Sequence, residues 1–316
     1  MPINMNDAQQ VFGFVYNQSL RINTEVYATR YPDYDYGRLI FVDESSPEWA
    51  GGILSFVSDT TGAAKWFSPG AKDVPFADVN RTSIEKTFHN AAIGYEFDEG
   101  EIGRAQLEGR DLSGDRAFAA RRAYEQFMYE LVVRGDTEKG LKGLVNTSTV
   151  TAANVPNDGT GTSRLWTTKT PTLIMRDINL GLTGVYTGSK TVEMADTVLL
   201  PIDALTYLAE TPFNSGTNQT ILSFLLENNI YSRTTGQPLT VRGVRGLEND
   251  GDSSTGRMVV YKNERDVAKL HLPMRHRFGT PWRDGPYHYT VPGMFRTGGV
   301  EILRPAAFRY LDGIVA

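Results

Sequence analysis

In GGILSFVSDTTGAAKWFSPGAKDVPFADVNRTSIEKTFHN, residues 51–90, two β-forming limbs flank a turn-rich middle. GGILSFVSD is rich in large apolar residues. Gly62, Pro69, Gly70 and Pro75 punctuate the centre, and VNRTSIEKTFHN alternates polar with apolar positions. Each limb of about 17 residues reaches roughly 50 Å at ~3.3 Å per residue. A compact chain of this length has a radius of gyration of only ~20 Å. Such a hairpin overhangs its own body, and an isolated two-stranded hairpin is marginal in water. It therefore needs a neighbouring surface, although the pattern alone leaves open an ordinary sheet insertion within the domain.

Working outward, residues 1–50 read as an extended arm with one short helix candidate between Asn6 and Leu20. TRYPDYDYGRLIFVD follows, interrupted by Pro32 and Gly37. This segment has no core of its own and needs a surface to lie on. Downstream, SGDRAFAARRAYEQFMYELVVR (113–134) is the clearest helix. Ala120, Tyr124, Phe127 and Leu131 make one stripe. Ser113 or Asp115 is placed to cap it and Gly135 to end it. At ~1.5 Å per residue it spans about 33 Å. Its arginines Arg116, Arg121, Arg122 and Arg134 offset nearby acids on a solvated face.

Residues 147–170 are rich in Thr, Asn and Gly, as a surface loop is. From 171 the pattern alternates: a helix beginning at Pro171, the buried strand ADTVLLP, the short helices IDALTYLAETP and QTILSFLLENN, and the strands PLTVRGVRGL and GRMVVYKN. The last fifty residues are strand-rich, with AKLHLPMRHRF, PYHYTVPG and GGVEILRP, and close on AAFRYLDGI. The fold class is α+β.

Composition narrows the chemistry. The chain has no cysteine, which removes disulfides, thiolate metal sites and thiol nucleophiles. Net charge is -5, against the basic surplus of a dedicated nucleic-acid reader. MPINMNDAQQ lacks the cationic start and apolar stretch of a signal peptide, and no apolar run approaches the roughly 18 residues that span a bilayer. No phosphate loop is present. GLTGVYTGSKT (181–191) has glycines but no Gly-Lys pair, and DGTGTS (158–163) does not open a helix after a strand. No nucleophile elbow occurs. His271 and His276, five apart in one strand-like run, would face opposite ways. Arg275, His276 and Arg277 form a basic triplet, either a patch facing DNA or an acidic neighbour, or a solvated strand end. We expect no catalytic residue, no cofactor and no metal.

TGAAKWFSPGAKDVPFADV (61–79), the spine helix running into RGDTEKGLKGLVN (134–146), and GGVEILRPAAFRYLDGI (298–314) resemble a phage capsid family long described only as uncharacterised. The order of parts is similar to the Hong Kong 97-type capsid fold of tailed phages. The resemblance covers the chain from about residue 50 onward and implies an N-terminal arm (1–50), an extended loop (51–90) and a peripheral domain with a long spine helix (91–146). It further implies an axial domain (147–262) and a strand-rich return to the peripheral domain (263–316). The loop would lie over an adjacent subunit with Lys65, Trp66 and Phe67 in contact. Trp49, Lys72 and Phe76 are further inter-subunit candidates. Partners implied are many copies of the chain as hexamers and pentamers, a separate scaffolding protein, a portal, a possible decoration protein and packaged double-stranded DNA. The location would be the virion capsid, with assembly in the host cytoplasm and no membrane. Lys65 and Lys72 have no identified asparagine partner, so no cross-link is expected. The alternatives are an encapsulin-like nanocompartment shell, an enzyme with an unfamiliar site, and a DNA-binding module.

Overall fold

The computed structural model describes residues 34–66, 76–108, 112–214, 216 and 218–315. Residues 1–33 of the arm, including the helix read between Asn6 and Leu20, lie outside the described residues, as do Phe67 and Lys72.

The chain enters through β1 (Phe41–Asp43) and then forms the hairpin of β2 (Gly52–Thr61) and β3 (Asp78–Thr87). β4 (His89–Ala92), β5 (Tyr95–Asp98), α1 (Glu99–Glu108) and α2 (Leu112–Val133) follow, then short β6 (Gly135–Asp136) and β7 (Leu141–Lys142). Next come β8 (Thr151–Asn154), α3 (Pro171–Gly188), β9 (Thr197–Leu200), α4 (Ile202–Glu210), α5 (Ile221–Glu227) and α6 (Ile230–Thr235). β10 (Thr240–Gly243), β11 (Arg257–Tyr261), β12 (Ala268–His271), β13 (Met274–Phe278), β14 (Trp282–Arg283) and β15 (His288–Val291) lead to β16 (Gly293–Thr297), β17 (Gly299–Ile302) and β18 (Phe308–Asp312).

The organising element is a five-stranded sheet in the order β10-β9-β11-β18-β8. Its strands are apolar on both faces, because both are covered. One face carries Val198, Leu200, Met258, Val260 and Leu311 against Ile174, Ile178, Leu182 and Val185 of α3, with α4 and α5 completing that core. The opposite face carries Leu199, Val259, Tyr261, Phe308 and Tyr310, which join Met128, Leu131 and Val132 of α2, and Leu270, Phe295 and Val300, in a second core. The period-2 alternation within each strand thus feeds two cores at once. β18, late in sequence, lies between β11 (antiparallel) and β8 (parallel).

α2 departs slightly from its sequence reading. It begins at Leu112, so Ser113 and Asp115 lie in its first turn rather than at its cap; Asp115 there still favours the helix dipole. Ala120, Tyr124, Met128, Leu131, Val132 and Val133 are buried, while Phe127 is 39 % exposed at the stripe's edge. It ends before Gly135, whose φ is +76°. A Cβ there would lie 2.3 Å from the Leu141 carbonyl oxygen, so only glycine fits this reversal.

Of the glycines at 181–191, Gly181 and Gly184 prove to be packing glycines within α3, while Gly188 borders open space. A Cβ on Gly181 would meet Val260 at 2.8 Å; the residue lets the helix approach the sheet. Just before α3, the loop is fastened by a buried charge cluster. Lys169 Nζ lies 2.6 Å from Asp177 Oδ2 with both side chains fully buried. It also lies 3.2 Å from Asp158 Oδ1 and donates to the Pro156 carbonyl at 2.9 Å. Arg176 donates to Asp177 Oδ1 at 2.9 Å and pairs with Asp158.

AKLHLPMRHRF, read as one strand, is two. Pro273 has no backbone donor and interrupts the ladder. β12 joins a sheet ordered β1-β12-β17, and β13 one ordered β13-β16-β4. His271 and His276 therefore do not sit on opposite faces of a single strand; they belong to different sheets.

Candidate interaction surface

The two limbs of the β2–β3 hairpin pair without interruption from Gly52 opposite Thr87 to Thr61 opposite Asp78. At about 3.4 Å per residue this ladder is ~34 Å long. Each described limb pairs over ten residues, fewer than the sequence had led us to expect. Ile53, Ser55, Val57, Ile84 and Lys86 are half-buried and face the body. The opposite face is open: Leu54 is 50 %, Phe56 70 % and Val79 52 % exposed. From Thr60 to the tip on one limb, and from Phe76 to Ser83 on the other, every described side chain is exposed.

The predicted contact residues fall accordingly. Trp66 and Phe76 are 104 % and 89 % exposed near the tip, and Lys65 is exposed beside them. Trp49, 66 % exposed, sits instead near the hairpin root, with the Arg296 guanidinium 5.7 Å from its ring centroid. It is not part of the tip group. An exposed apolar stripe on a two-stranded ribbon is unfavourable for a solitary chain.

The hairpin root rests on an unusual seat. The three-stranded sheet β1-β12-β17 sends Leu270 and Val300 into the core. Its other face is ionic. Asp43 is opposite His271, and Lys269 opposite Glu301. His271 Nε2 lies 2.8 Å from Glu301 Oε2; Lys269 Nζ lies 3.5 Å from Asp43 and 3.8 Å from Glu301. From β2, the Ser55 hydroxyl donates to Glu301 Oε2 at 3.2 Å. From β3, Lys86 Nζ donates to the Val300 carbonyl at 3.4 Å. Between β3 and β4, Phe88 is buried with its ring 6.0 Å from that of His271, and its N–H donates to the Gly51 carbonyl. Burial alone would raise the Glu301 carboxyl. The hydrogen bond with His271, the charges of His271 and Lys269, and the Ser55 hydroxyl outweigh it and hold the carboxyl below its ordinary range. At Asp43, burial is likewise outweighed by two hydrogen bonds from Ser45 and by Lys269 and His271. No local motif announced this group, because its members come from three separate segments.

The basic triplet is neutralised within the chain. Arg275 pairs with Glu44, and Arg277 with Glu48 at 3.2 Å. His276 Nε2 lies 2.9 Å from the Ile93 carbonyl, and its ring stacks on Tyr124 with centroids 5.2 Å apart. The acids that the two arginines face belong to the segment between β1 and β2. Among the described residues no group of three or more His, Asp or Glu could hold a metal ion, and no helix is long and apolar enough to cross a membrane. A cavity of about 350 Å³ lined by Tyr34, Tyr129, Arg134 and Arg245 brings no nucleophile beside a base.

Residues 62–314 match the profile of a family described as major capsid protein. Among solved structures, the capsid of Myoviridae phage XM1 superposes with a TM-score of 0.80 at 17% identity, covering 94% of this chain and 98% of that one. A capsid chain of an empty GTA particle gives 0.64 at 11% identity, covering 94% and 95%. A chain of Mycobacterium phage Ogopogo gives 0.59 at 10% identity, covering 94% and 98%. At these identities the likeness is one of fold. No curated protein matches the sequence.

Proposed function

Because the chain belongs to the major capsid protein family, we propose that it builds the icosahedral shell of a tailed phage, as hexamers and pentamers closed around double-stranded DNA. The observation that carries this reading is the β2–β3 hairpin, whose outer face leaves Leu54, Phe56 and Val79 open to solvent in a single copy. A closed shell needs complementary, non-identical patches repeated by symmetry. A projecting ribbon supplies one patch and the body of another copy the other. In this reading residues 51–90 are the loop lying over the adjacent subunit, with Lys65, Trp66, Phe67, Lys72 and Phe76 at its contact and Trp49 near its root. The α2 segment is the spine of a peripheral domain. Residues 147–262 form the axial domain, into whose sheet β18 returns from the strand-rich final segment. A scaffolding protein, a portal and a decoration protein complete the particle, and assembly precedes release from the host cytoplasm. The shell role is structural, with no catalytic residue.

The nanocompartment alternative is not favoured, since the matching family is that of major capsid proteins. Cargo separates the two: nuclease-protected DNA in purified particles for a capsid, protein for a compartment. Negative-stain microscopy of the expressed chain tests the class itself. Rings of five or six, tubes or shells are expected; a dispersed monomer at every concentration would overturn it.

Trp66 has no packing to lose within one copy. Trp66→Ala is therefore expected to change monomer unfolding free energy by no more than about 0.5 kcal/mol. Shells built from it should dissociate at clearly lower urea than wild-type shells. Equal losses in monomer and shell would remove Trp66 from the contact.

A further inference from the structure

A projecting hairpin seated on an apolar face would be held whatever the conditions. This one is seated on charges. Its root touches one face of β1-β12-β17, where Asp43, Lys269, His271 and Glu301 stand together. Glu301 is 1 % exposed and His271 fully buried. Glu301 Oε2 receives Ser55, His271 and Lys269 at once, while Glu301 Oε1 and His271 Nδ1 have no hydrogen-bond partner among the described residues. Two carboxylates face one ammonium and one imidazole. Buried ion groups of this kind contribute little net stability when intact, yet respond strongly when one member is neutralised.

The other attachments of the root are of a different kind. Lys86 holds only a backbone carbonyl, and Ile53, Val57 and Ile84 are half-buried. Phe88 is anchored in the body, and its N–H holds Gly51 at the foot of β2. The hairpin thus has a fixed pivot at Gly51–Phe88 and a releasable hold a few residues further out, at Ser55–Glu301. We infer that this ionic face is a latch that sets the pitch of the hairpin, and that neutralising Glu301 releases Ser55 and lets the ribbon swing about Gly51 and Phe88. Hinges of this type concentrate the backbone change in a few residues at the ends of elements. The latch belongs to the single chain and stands or falls independently of shell formation.

The groups facing Glu301 are Lys269 and His271 from β12, Asp43 from β1, Ser55 from β2 and Lys86 from β3. The sign of the pH response follows from the carboxyls. Both are held below their ordinary range. Their contribution is complete above the ordinary carboxylate pKa and disappears as pH falls through the lowered folded values, so the latch is closed at neutral pH and opens in acid.

The chain contains no cysteine, so spin labels at Ser58→Cys and Lys190→Cys report the hairpin against the body by electron–electron distance measurement, in labelled full-length chain diluted with unlabelled chain. At pH 7 the otherwise unaltered chain is expected to give one narrow distribution. Glu301→Gln should broaden it or shift it by roughly 5 Å or more, given a lever of about 20 Å from pivot to label. It should also speed amide exchange in residues 52–57 and 84–87. Ser55→Ala, which leaves the charges in place, should move both readouts the same way by less. Glu85→Gln, on the outward face of the same ribbon, should move neither. Unchanged distances and exchange in both Glu301→Gln and Ser55→Ala would overturn the latch. So would a Glu301→Gln chain that fails to fold beside an unaltered Ser55→Ala.

Discussion

Replacing residues 58–81 by Asn-Gly is expected to give a subunit that folds normally and builds no shell. Val57 and Thr82 face each other in the ladder, so a two-residue turn closes the shortened hairpin in the geometry such turns prefer. The removed part takes no described side chain out of the body's cores. Both cores, the Ser55–Glu301 contact and the Phe88 anchor stay. Shortening the excursion also lowers its ordering cost slightly. The melting temperature should therefore stay within about 3 °C of the parent. What disappears is the outer part of the ribbon with the exposed Trp66, Phe76 and Val79; Leu54 and Phe56 stay. Circular dichroism of the melt and microscopy of the concentrated protein check the two halves separately. Normal shells would remove the hairpin from the assembly interface; a collapsed melt would show that it serves the monomer instead.

Asp177→Ala is expected to destabilise the monomer by about 3–5 kcal/mol, because it strands the buried Lys169 ammonium. Lys169 and Asp177 are both out of water and 2.6 Å apart. Asp158 lies 3.2 Å away but is itself shared with Arg176, so it compensates only in part. The companion Lys169→Met, Asp177→Leu double variant removes both charges and fills the space, and should recover more than half of the loss. Urea titration of the three proteins checks this. A single variant within about 1 kcal/mol of the parent would mean that the 155–170 loop relaxes to admit water.

The elements carried by strong periodicity were legible from sequence. ADTVLLP is a strand buried at every position of β9, and Pro171 opens α3 because its missing donor costs nothing in a first turn. α2 was legible too, though Met128 rather than Phe127 took the deepest position, since a stripe of period 3.6 fixes a face and not its centre. α1 left no readable signal. It includes Gly100 and Gly103, both poor helix formers, and its Leu107 is almost fully exposed. Pro273, which has no backbone donor, marks where AKLHLPMRHRF splits. In the hairpin, alternation predicted two faces, but Ile53 and Val57 are as apolar as Leu54 and Phe56. No local feature says which pair meets the body. The ionic seat was beyond reach for a plainer reason. Asp43, Lys269, His271 and Glu301 become neighbours only through strand pairing across more than two hundred residues, and a spacing rule reads only residues that share an element.

The position of β18 carries a consequence for biosynthesis. On the ribosome, β8 emerges early and then waits: among the described residues its one sheet neighbour is β18, which also completes the flank of β11. Until that late segment is translated, the central sheet is a three-stranded piece and a lone strand, and pairing between strands so far apart in sequence is slow to form. A nascent chain halted before residue 308 lacks the strand that joins β8 to β11, together with Phe308, Tyr310 and Leu311, which fill the cores on both faces of the sheet, so a product that stops short of it cannot close either core.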